Sequence, residues 1–382
     1  MRKGGFFIMI QIIDKTQCCG CTACEAVCPQ SCISLNRDAE GFAYPIVDLD
    51  LCIGCDACEA VCPCLNRIQN PQEPQAMAVR AKDQALRLFS SSGGVFSLLA
   101  SDMLEQGGAV CGAVFDENFM VRHSIVWEEA GVESMRGAKY VQSDLNDTFR
   151  QIRDLVDGDM PVLFSGTPCQ TQGLRNYLGK DANRVLTVAI VCHGVPSPTI
   201  WEKNLRELGV VTDVRLRDKR DSWKHYATNY LVNGAEIFRP VMQDPYMRGF
   251  LRGLYHRPSC TDCPAKTSGY ADLTLGDFWG SEKIVPELDD DKGTSVVLIQ
   301  TEKGRQALQK LAGRVESKAV SFADAVRYNP AITTSAQNHA QRREAWKRLE
   351  HEPLSVVVED YTKESTVERL KGIARRIFGR KS

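Results

Sequence analysis

Cysteine is the residue type with the most chemistry to offer in this 382-residue chain, which holds 16 of them. Two runs share one pattern, Cys18-x2-Cys21-x2-Cys24-x3-Cys28-Pro29 and Cys52-x2-Cys55-x2-Cys58-x3-Cys62-Pro63. Thiolates at this spacing hold [4Fe–4S] clusters, and the fourth Cys of each run ligates the other run's cluster. One cluster then takes Cys18, Cys21, Cys24 and Cys62, and the other Cys52, Cys55, Cys58 and Cys28. Disulfide scaffolds are mostly short secreted chains, and structural zinc commonly uses separated C-x2-C pairs. Neither rival suits three cysteines at x2 spacing closed by x3-Cys-Pro. The chemistry implied is electron transfer.

A second set lies downstream. Cys169 and Cys192 each follow an apolar strand inside a Gly/Pro-rich turn, and Cys260-x2-Cys263 forms a pair. In a parallel sheet the two turns open onto the same edge, so four thiolates can converge there. A third [4Fe–4S] cluster is the economical interpretation, with zinc or an unliganded redox pair as rivals. Cys19, Cys32, Cys64 and Cys111 are left over; cysteine is often simply buried, and no role falls to them.

The elements that must position these thiols fall into blocks. Residues 1–68 form the dicluster module, with a first strand over 8–13 and a hairpin of 33–38 and 42–47 turning at Ala39-Glu40-Gly41. A polar, proline-bearing linker occupies 69–75. From 76 to 345 strands alternate with helices: a helix from Gly94 to about Gln106, then strands at 108–115, 161–165, 185–191 and 272–275. The expected fold is an α+β dicluster module followed by an α/β core with a mainly parallel or mixed sheet, then a helical C-terminal tail. Such cores bind ligands beyond the carboxyl ends of their strands. In the last block, 346–382, Arg369, Lys371, Arg375, Arg376, Arg380 and Lys381 accompany an apolar face of Leu370, Ile373, Ala374 and Ile377. A basic amphipathic helix of this kind can lie on an anionic membrane; a solvated or frayed tail is the preferred reading.

Composition is that of a soluble globular protein, 43% hydrophobic and 25% charged. A formal net charge of -1 leaves no global footprint for nucleic acid, and no apolar run reaches the roughly 18 residues of a membrane span. The start, Arg2-Lys3 then Phe6 to Ile10, looks like a signal peptide, but Gln11 breaks it and no small-residue cleavage site follows. The expected location is cytoplasmic, peripheral at the inner membrane face if the tail binds there.

Outside cysteine the signals are weaker. Ser91-Ser92-Gly93-Gly94 opens a helix, where free backbone N–H groups and glycine suit a phosphate, although serine is also a plain N-cap. Lys139-Tyr140 sits in a glycine-bearing segment, a phosphate neutraliser or a surface lysine. His193 beside Cys192 is the one catalytic candidate, against the commoner packing role. No placed G-x-G-x-x-G or Walker motif supports a Rossmann or nucleotide-hydrolase site.

Six segments in order resemble the coenzyme F-420 hydrogenase/dehydrogenase beta subunits. They are Ser91-Ser92-Gly93-Gly94-Val95, Arg136-Gly137-Ala138-Lys139-Tyr140, Gly166-Thr167-Pro168-Cys169-Gln170, Val191-Cys192-His193-Gly194-Val195-Pro196, Cys260-Thr261-Asp262-Cys263 and Gly276-Asp277-Phe278-Trp279-Gly280. The core also looks similar to 7-hydroxymethyl chlorophyll a reductase. The resemblance implies an FAD-containing iron–sulfur flavoprotein in which Cys169, Cys192, Cys260 and Cys263 hold a cluster beside the flavin. It further implies that Ser92, Gly93, Gly94, Lys139 and Tyr140 contact FAD, and that surface-polysaccharide metabolism is one setting. His193 and the Asp277-Phe278-Trp279 turn depart from the hydrogenase subunits and weigh against the deazaflavin coenzyme itself as substrate. The function expected is a wire from ferredoxin or another low-potential carrier through three clusters to FAD, which reduces or oxidises a small organic substrate. The alternatives are an electron-transfer subunit without a substrate of its own, a coenzyme F-420 oxidoreductase subunit, and a flavin-free cluster-bearing sensor. Substrate, direction of flow and oligomeric state are not legible.

Overall fold

A computed structural model describes residues 9–67, 72–266 and 271–363. The basic tail and its proposed membrane contact lie outside the described residues.

The dicluster module contains one hairpin, β1 (Ile33–Arg37) against β2 (Ala43–Val47), antiparallel with Leu35 opposite Pro45. Gly41, at φ +81°, supplies the left-handed turn residue. The two cysteine loops fold alike. Gly20 and Gly54 sit at φ +70° and +66°, and Thr22 and Asp56 at +64° and +61°. Left-handed backbone at non-glycine residues is uncommon, and its recurrence at matched positions marks one loop design used twice. Each loop then enters a short helix, Ala23–Val27 or Ala57–Ala60. The strand expected over 8–13 is a correction: residues 9–12 carry no regular structure, and the Ile10 backbone N–H points to Cys58 Sγ at 3.3 Å instead of to a strand partner.

The core is one eight-stranded sheet built from β3 (Gln75–Ala81), β4 (Ala109–Phe115), β5 (Val121–Val126), β6 (Val162–Gly166) and β7 (Val185–Ile190). After a separate three-stranded antiparallel sheet, β8 (Val211–Asp218), β9 (Ala227–Val232) and β10 (Ala235–Pro240), it is completed by β11 (Leu273–Asp277), β12 (Ser295–Ile299) and β13 (Val315–Val320). The order is β13-β3-β12-β11-β7-β6-β4-β5. Neighbours among β11, β7, β6 and β4 run parallel, and the flanking strands are antiparallel. The sheet is therefore mixed, as expected, with its parallel centre where the cysteine turns leave.

Strand periodicity explains why both faces are apolar. In β6, Leu163 joins the core beneath Leu98 and Leu99, whereas Val162 and Phe164 face Phe149, Ile152 and Leu174 on the other side. The boundary expected at 345 falls inside the helix Arg342–Leu349. That helix and Leu354–Thr362 bury Ala345, Leu349, Leu354 and Val357 against Trp201, Tyr246 and Phe250, so the chain stays in the core at least that far.

Candidate functional site

Thr167 caps the helix Pro168–Leu178 with a full capping box, its side chain meeting the Gln170 backbone while Gln170 Oε1 accepts from the Thr167 N–H at 2.9 Å. Pro168 pre-sets the first turn. Cys169 therefore sits in the first helical turn rather than in a loop ahead of it. Cys192 follows β7 on the adjacent parallel strand, so both thiols leave the same sheet edge. The third contribution comes from the short turn Pro258–Asp262, which carries Cys260 and ends at Cys263.

These four thiols share one environment. Burial pushes Cys260 up, with Cys192, Cys169 and Cys263 adding to it. Burial also pushes Cys263 up to about 12, helped by Cys169 and Cys192. The Val195 backbone N–H approaches Cys260 Sγ at 3.4 Å, and the Lys266 ammonium donates to the Cys192 carbonyl. An amide donor to sulfur suits a thiolate, and hydrogen bonds of this kind help set cluster potential.

The eight motif thiols sort by position. Cys28, Cys52, Cys55 and Cys58 surround one small cavity together with Cys32, whose sulfur lies 3.4 Å from that of Cys28. Burial raises Cys24, with Cys21 and Cys18 adding to it. Cys62, from the second run, is raised by its contact with Cys64, by burial, and by Cys21 of the first run. Cys28 of the first run thus shares a cavity with three thiols of the second, and Cys62 of the second feels Cys21 of the first. Among the described residues no three His, Cys, Asp or Glu side chains gather as one bound ion requires. A cubane asks for less, since its four ligand sulfurs surround a body of four irons and four sulfides.

Two spare cysteines lie between these sets. The Cys19 thiol is held well above the ordinary range by hydrogen bonds to the sulfurs of Cys169, Cys21 and Cys64, and by burial. It reaches the Cys21 thiol of the module on one side and the Cys169 thiol of the core on the other. Spacing gives no hint of this, because Cys19 and Cys64 are outside the motif. Cys111 is fully buried in the apolar core, and Cys32 belongs to the far cavity.

Arg257 is another residue that sequence reasoning missed. It is fully buried. Its Nε donates to the Cys18 carbonyl at 2.7 Å, Nη2 to the Ala43 carbonyl at 2.8 Å and toward Cys18 Sγ at 3.4 Å, and Nη1 to Gln142 Oε1 at 3.0 Å. The guanidinium lies 4.5 Å from the Tyr44 ring centre and 5.4 Å from that of Phe42. In the chain it directly precedes the Pro258–Asp262 turn that carries Cys260. One side chain thus joins the module's first cluster loop to the core's cysteine turn.

Beyond Cys192 a cavity of about 380 Å³ opens at the strand ends, within the usual range for cofactor sites. Ser92, Gly94, Lys139, Tyr140, His193, Asp277 and Trp279 all line it. Gly93 does not; its N–H donates to Ser295 Oγ at 2.9 Å against the sheet. Ser92 Oγ donates to the Thr294 carbonyl at 3.0 Å, and Gly94 takes φ +84° to start the helix Val95–Glu105. Lys139 is drawn down to about 7 by burial, its Nζ donating to the Arg136 carbonyl at 3.1 Å. His193 stands at the rim, held below its ordinary value by desolvation, Lys266 and Arg217. Arg217, also unforeseen, donates to Asp277 at 2.6 Å and to the Tyr140 hydroxyl at 3.3 Å, and is sandwiched with Tyr226 and Trp279. Its Nε and Nη2 are buried without a partner. A larger cavity of about 520 Å³ is lined by Cys192, but it collects none of the residues expected to touch FAD.

Residues 159–323 match the family model for the C-terminal part of the beta subunits of coenzyme F420 hydrogenase/dehydrogenase, a span that contains Cys169, Cys192, Cys260 and Cys263. Residues 17–66 match a 4Fe-4S dicluster domain and contain both cysteine runs. In Methanosarcina mazei, the F subunit of the F(420)H(2) dehydrogenase is 24% identical, with 73% of this chain and 82% of the relative covered. A solved structure of the xenon-derivatised F420-reducing [NiFe] hydrogenase complex from Methanosarcina barkeri aligns at a TM-score of 0.48 and 16% identity. That alignment covers 82% of this chain and 97% of the other. No helix among the described residues is long and apolar enough to cross a membrane.

Proposed function

We propose a specific circuit for a chain that joins a 4Fe–4S dicluster domain to the C-terminal region of the coenzyme F420 hydrogenase/dehydrogenase beta subunits, and that is thereby an iron–sulfur electron-transfer protein. Cys28, Cys52, Cys55 and Cys58 would hold an outer cluster, Cys18, Cys21, Cys24 and Cys62 an inner one, Cys169, Cys192, Cys260 and Cys263 a third, and the cavity behind Cys192 would hold FAD. In that order the groups would supply one-electron transfer from the module surface to the cavity. In domain terms, 1–68 is the dicluster module, and the flavin-binding core that begins at 76 runs at least through the helix Leu354–Thr362.

The observation that carries this reading is the serial order of the three thiol sets. Cys55 is the one exposed cysteine, Cys19 and Arg257 lie between module and core, and Cys192 is followed directly by His193 at the cavity rim. The cavity's own residues fit a flavin. Lys139, Ser92 and Gly94 offer charge and backbone to phosphate, Arg217 has unmet donors, and Trp279 and Tyr140 give flat apolar walls. When bound, a flavin supplies the exchange between single electrons and electron pairs. His193, neutral near pH 7, can give or take a ring proton at the rim as a small substrate is reduced or oxidised.

Iron and flavin content of anaerobically purified protein tests this. About 12 irons, three clusters of four, with one FAD supports the whole circuit; about 8 irons removes the third cluster. Cys169→Ser should keep both module clusters yet block flavin reduction by reduced ferredoxin, and normal kinetics there would sink the proposal. The name of the Methanosarcina mazei relative favours a second reading, because that protein is one of several chains in a dehydrogenase. On that reading the chain feeds a partner enzyme and turns nothing over alone. A coenzyme F-420 substrate and a role in surface-polysaccharide metabolism rest on resemblance alone.

A further inference from the structure

The module surface over the outer cluster is unlike the rest of the protein. From residue 38 to 66 there is no Lys, Arg or His, but there are Asp38, Glu40, Asp48, Asp50, Asp56 and Glu59. Asp38 is paired with Lys15 and Glu40 with Arg342. The other four form no ion pair among the described residues, and Asp48, Asp50 and Asp56 are exposed. Within the same stretch, Ile46, Leu49, Leu51, Ile53 and Leu65 are 52%, 63%, 53%, 59% and 57% exposed. The remaining exposed large hydrophobics are spread over the rest of the described chain. Cys55, the exposed ligand, is set among these residues.

Unpaired acids crowded together repel one another, and exposed apolar groups gain by being covered. Both costs vanish against a complementary face. We infer that residues 46–56 are the docking surface for a one-electron redox protein whose contact centre is apolar and whose rim is rich in Lys and Arg. The inference rests on the electron-entry role proposed for the outer cluster and specifies its partner. In the productive encounter one electron crosses: the carrier is oxidised by one, the cluster reduced by one, and no bond or proton moves. A carrier with an acidic rim is disfavoured, because like charges meeting at an interface slow encounter and oppose binding.

The test uses the full cluster-loaded chain, reduced and mixed by stopped flow with ferricytochrome c, a basic redox protein, or with an acidic [2Fe–2S] ferredoxin. With ferricytochrome c the second-order rate should fall at least about tenfold between low and high salt, as steered association does. Asp48→Asn/Asp50→Lys changes the local charge by three while Asn keeps the turn acceptor of Asp48. It should slow ferricytochrome c about tenfold and speed the ferredoxin, with iron content unchanged. A salt-independent rate, a variant as fast as the parent with ferricytochrome c, or a parent that prefers the acidic ferredoxin at low salt would overturn the inference. If the double variant loses iron, Leu51→Ser decides by the same kinetics: a slower ferricytochrome c reaction supports the surface and an unchanged one refutes it. A chain without clusters would overturn this inference together with the electron-transfer circuit, whereas loaded clusters with indifferent kinetics would overturn this inference alone.

Discussion

Replacing Arg257 by Gln removes a buried positive charge beside one cluster while leaving the other module cluster in its own setting. The guanidinium contacts Cys18 Sγ at 3.4 Å, so it lies roughly 6–7 Å from the middle of a cubane held there. At an effective dielectric of about 20, a unit charge at that distance favours one added electron by about 2.5 kcal/mol. For a one-electron couple this corresponds to roughly 100 mV. The cluster of Cys18, Cys21, Cys24 and Cys62 should therefore drop by about 100 mV in Arg257→Gln, and much less in Arg257→Lys, which keeps the charge but loses the fork.

Potentiometric titration followed by EPR reads this directly. The outer cluster, identified as the signal altered by Cys55→Ser, is the internal control. Arg257 also satisfies the carbonyls of Cys18 and Ala43, and each acceptor left unmet costs about 1–3 kcal/mol. If Gln costs the cluster itself, Gln142→Glu neutralises the same charge with Arg257 in place, since Gln142 Oε1 is 3.0 Å from Nη1. An unshifted potential in whichever variant retains the cluster, or an equal shift in both module clusters, would refute the electrostatic argument.

Two further perturbations follow from the same site. Lys139 has its proton affinity lowered to about 7 by burial, so its desolvation cost is full below pH 7 and fades as pH rises toward the ordinary lysine value. Lys139→Met should thus raise the melting temperature of flavin-free protein by about 2–4 °C at pH 6, with the gain shrinking by pH 10; a gain that grows with pH would contradict this. Cys19→Ala removes the thiol donor shared by the sulfurs of Cys21 and Cys169. Iron content should hold while the neighbouring cluster falls by about 1 kcal/mol, roughly 40 mV, and an unchanged potential by EPR titration would remove Cys19 from the path.

The parts of this arrangement that sequence makes legible are those written in local spacing. Two x2-x2-x3 cysteine runs, Gly/Pro turns after two apolar strands and one C-x2-C pair mark twelve thiols without any tertiary information. The parallel centre of the sheet is readable because β6 and β7 are continuous apolar runs with a helix between them. What stays hidden depends on long-range packing. Arg257 meets Cys18 across 239 residues and Cys19 meets Cys169 across the same interface. Neither residue type nor its neighbours advertise such a contact. The antiparallel sheet β8–β10 supplies Arg217, whose place beside Asp277 is set by a strand far from the cavity motifs. The strand expected at the start of the module does not form among the described residues for a related reason: the apolar residues at 9–12 pack around the outer cysteines instead of pairing along a sheet edge.

Gly173 brings the contest between local propensity and cofactor into one position. It lies inside the helix Pro168–Leu178, where glycine costs about 1 kcal/mol relative to alanine. Helix propensity alone therefore favours Gly173→Ala. A Cβ there would stand 2.8 Å from Cys21 Cβ and 2.9 Å from its Sγ, closer than real side chains approach. Cys21 has no room to give, because its loop is pinned by Arg257 on one side, and the loop's own Gly20 leaves no space for a Cβ beside that guanidinium at 2.7 Å. Side chains of this same helix also hold the module, Asn176 donating to the Val61 carbonyl at 3.1 Å and Gln172 to the Asn66 carbonyl at 3.2 Å. The helix cannot retreat without releasing them. The steric term should win over propensity. Gly173→Ala is expected to lower iron per chain or shift the EPR signal of the inner module cluster, and to lower the anaerobic melting temperature. A higher melting temperature with full iron and an unchanged signal would mean that Cys21 is free to move, and that the module is not held at the fixed distance from the core that serial electron transfer through these thiol sets requires.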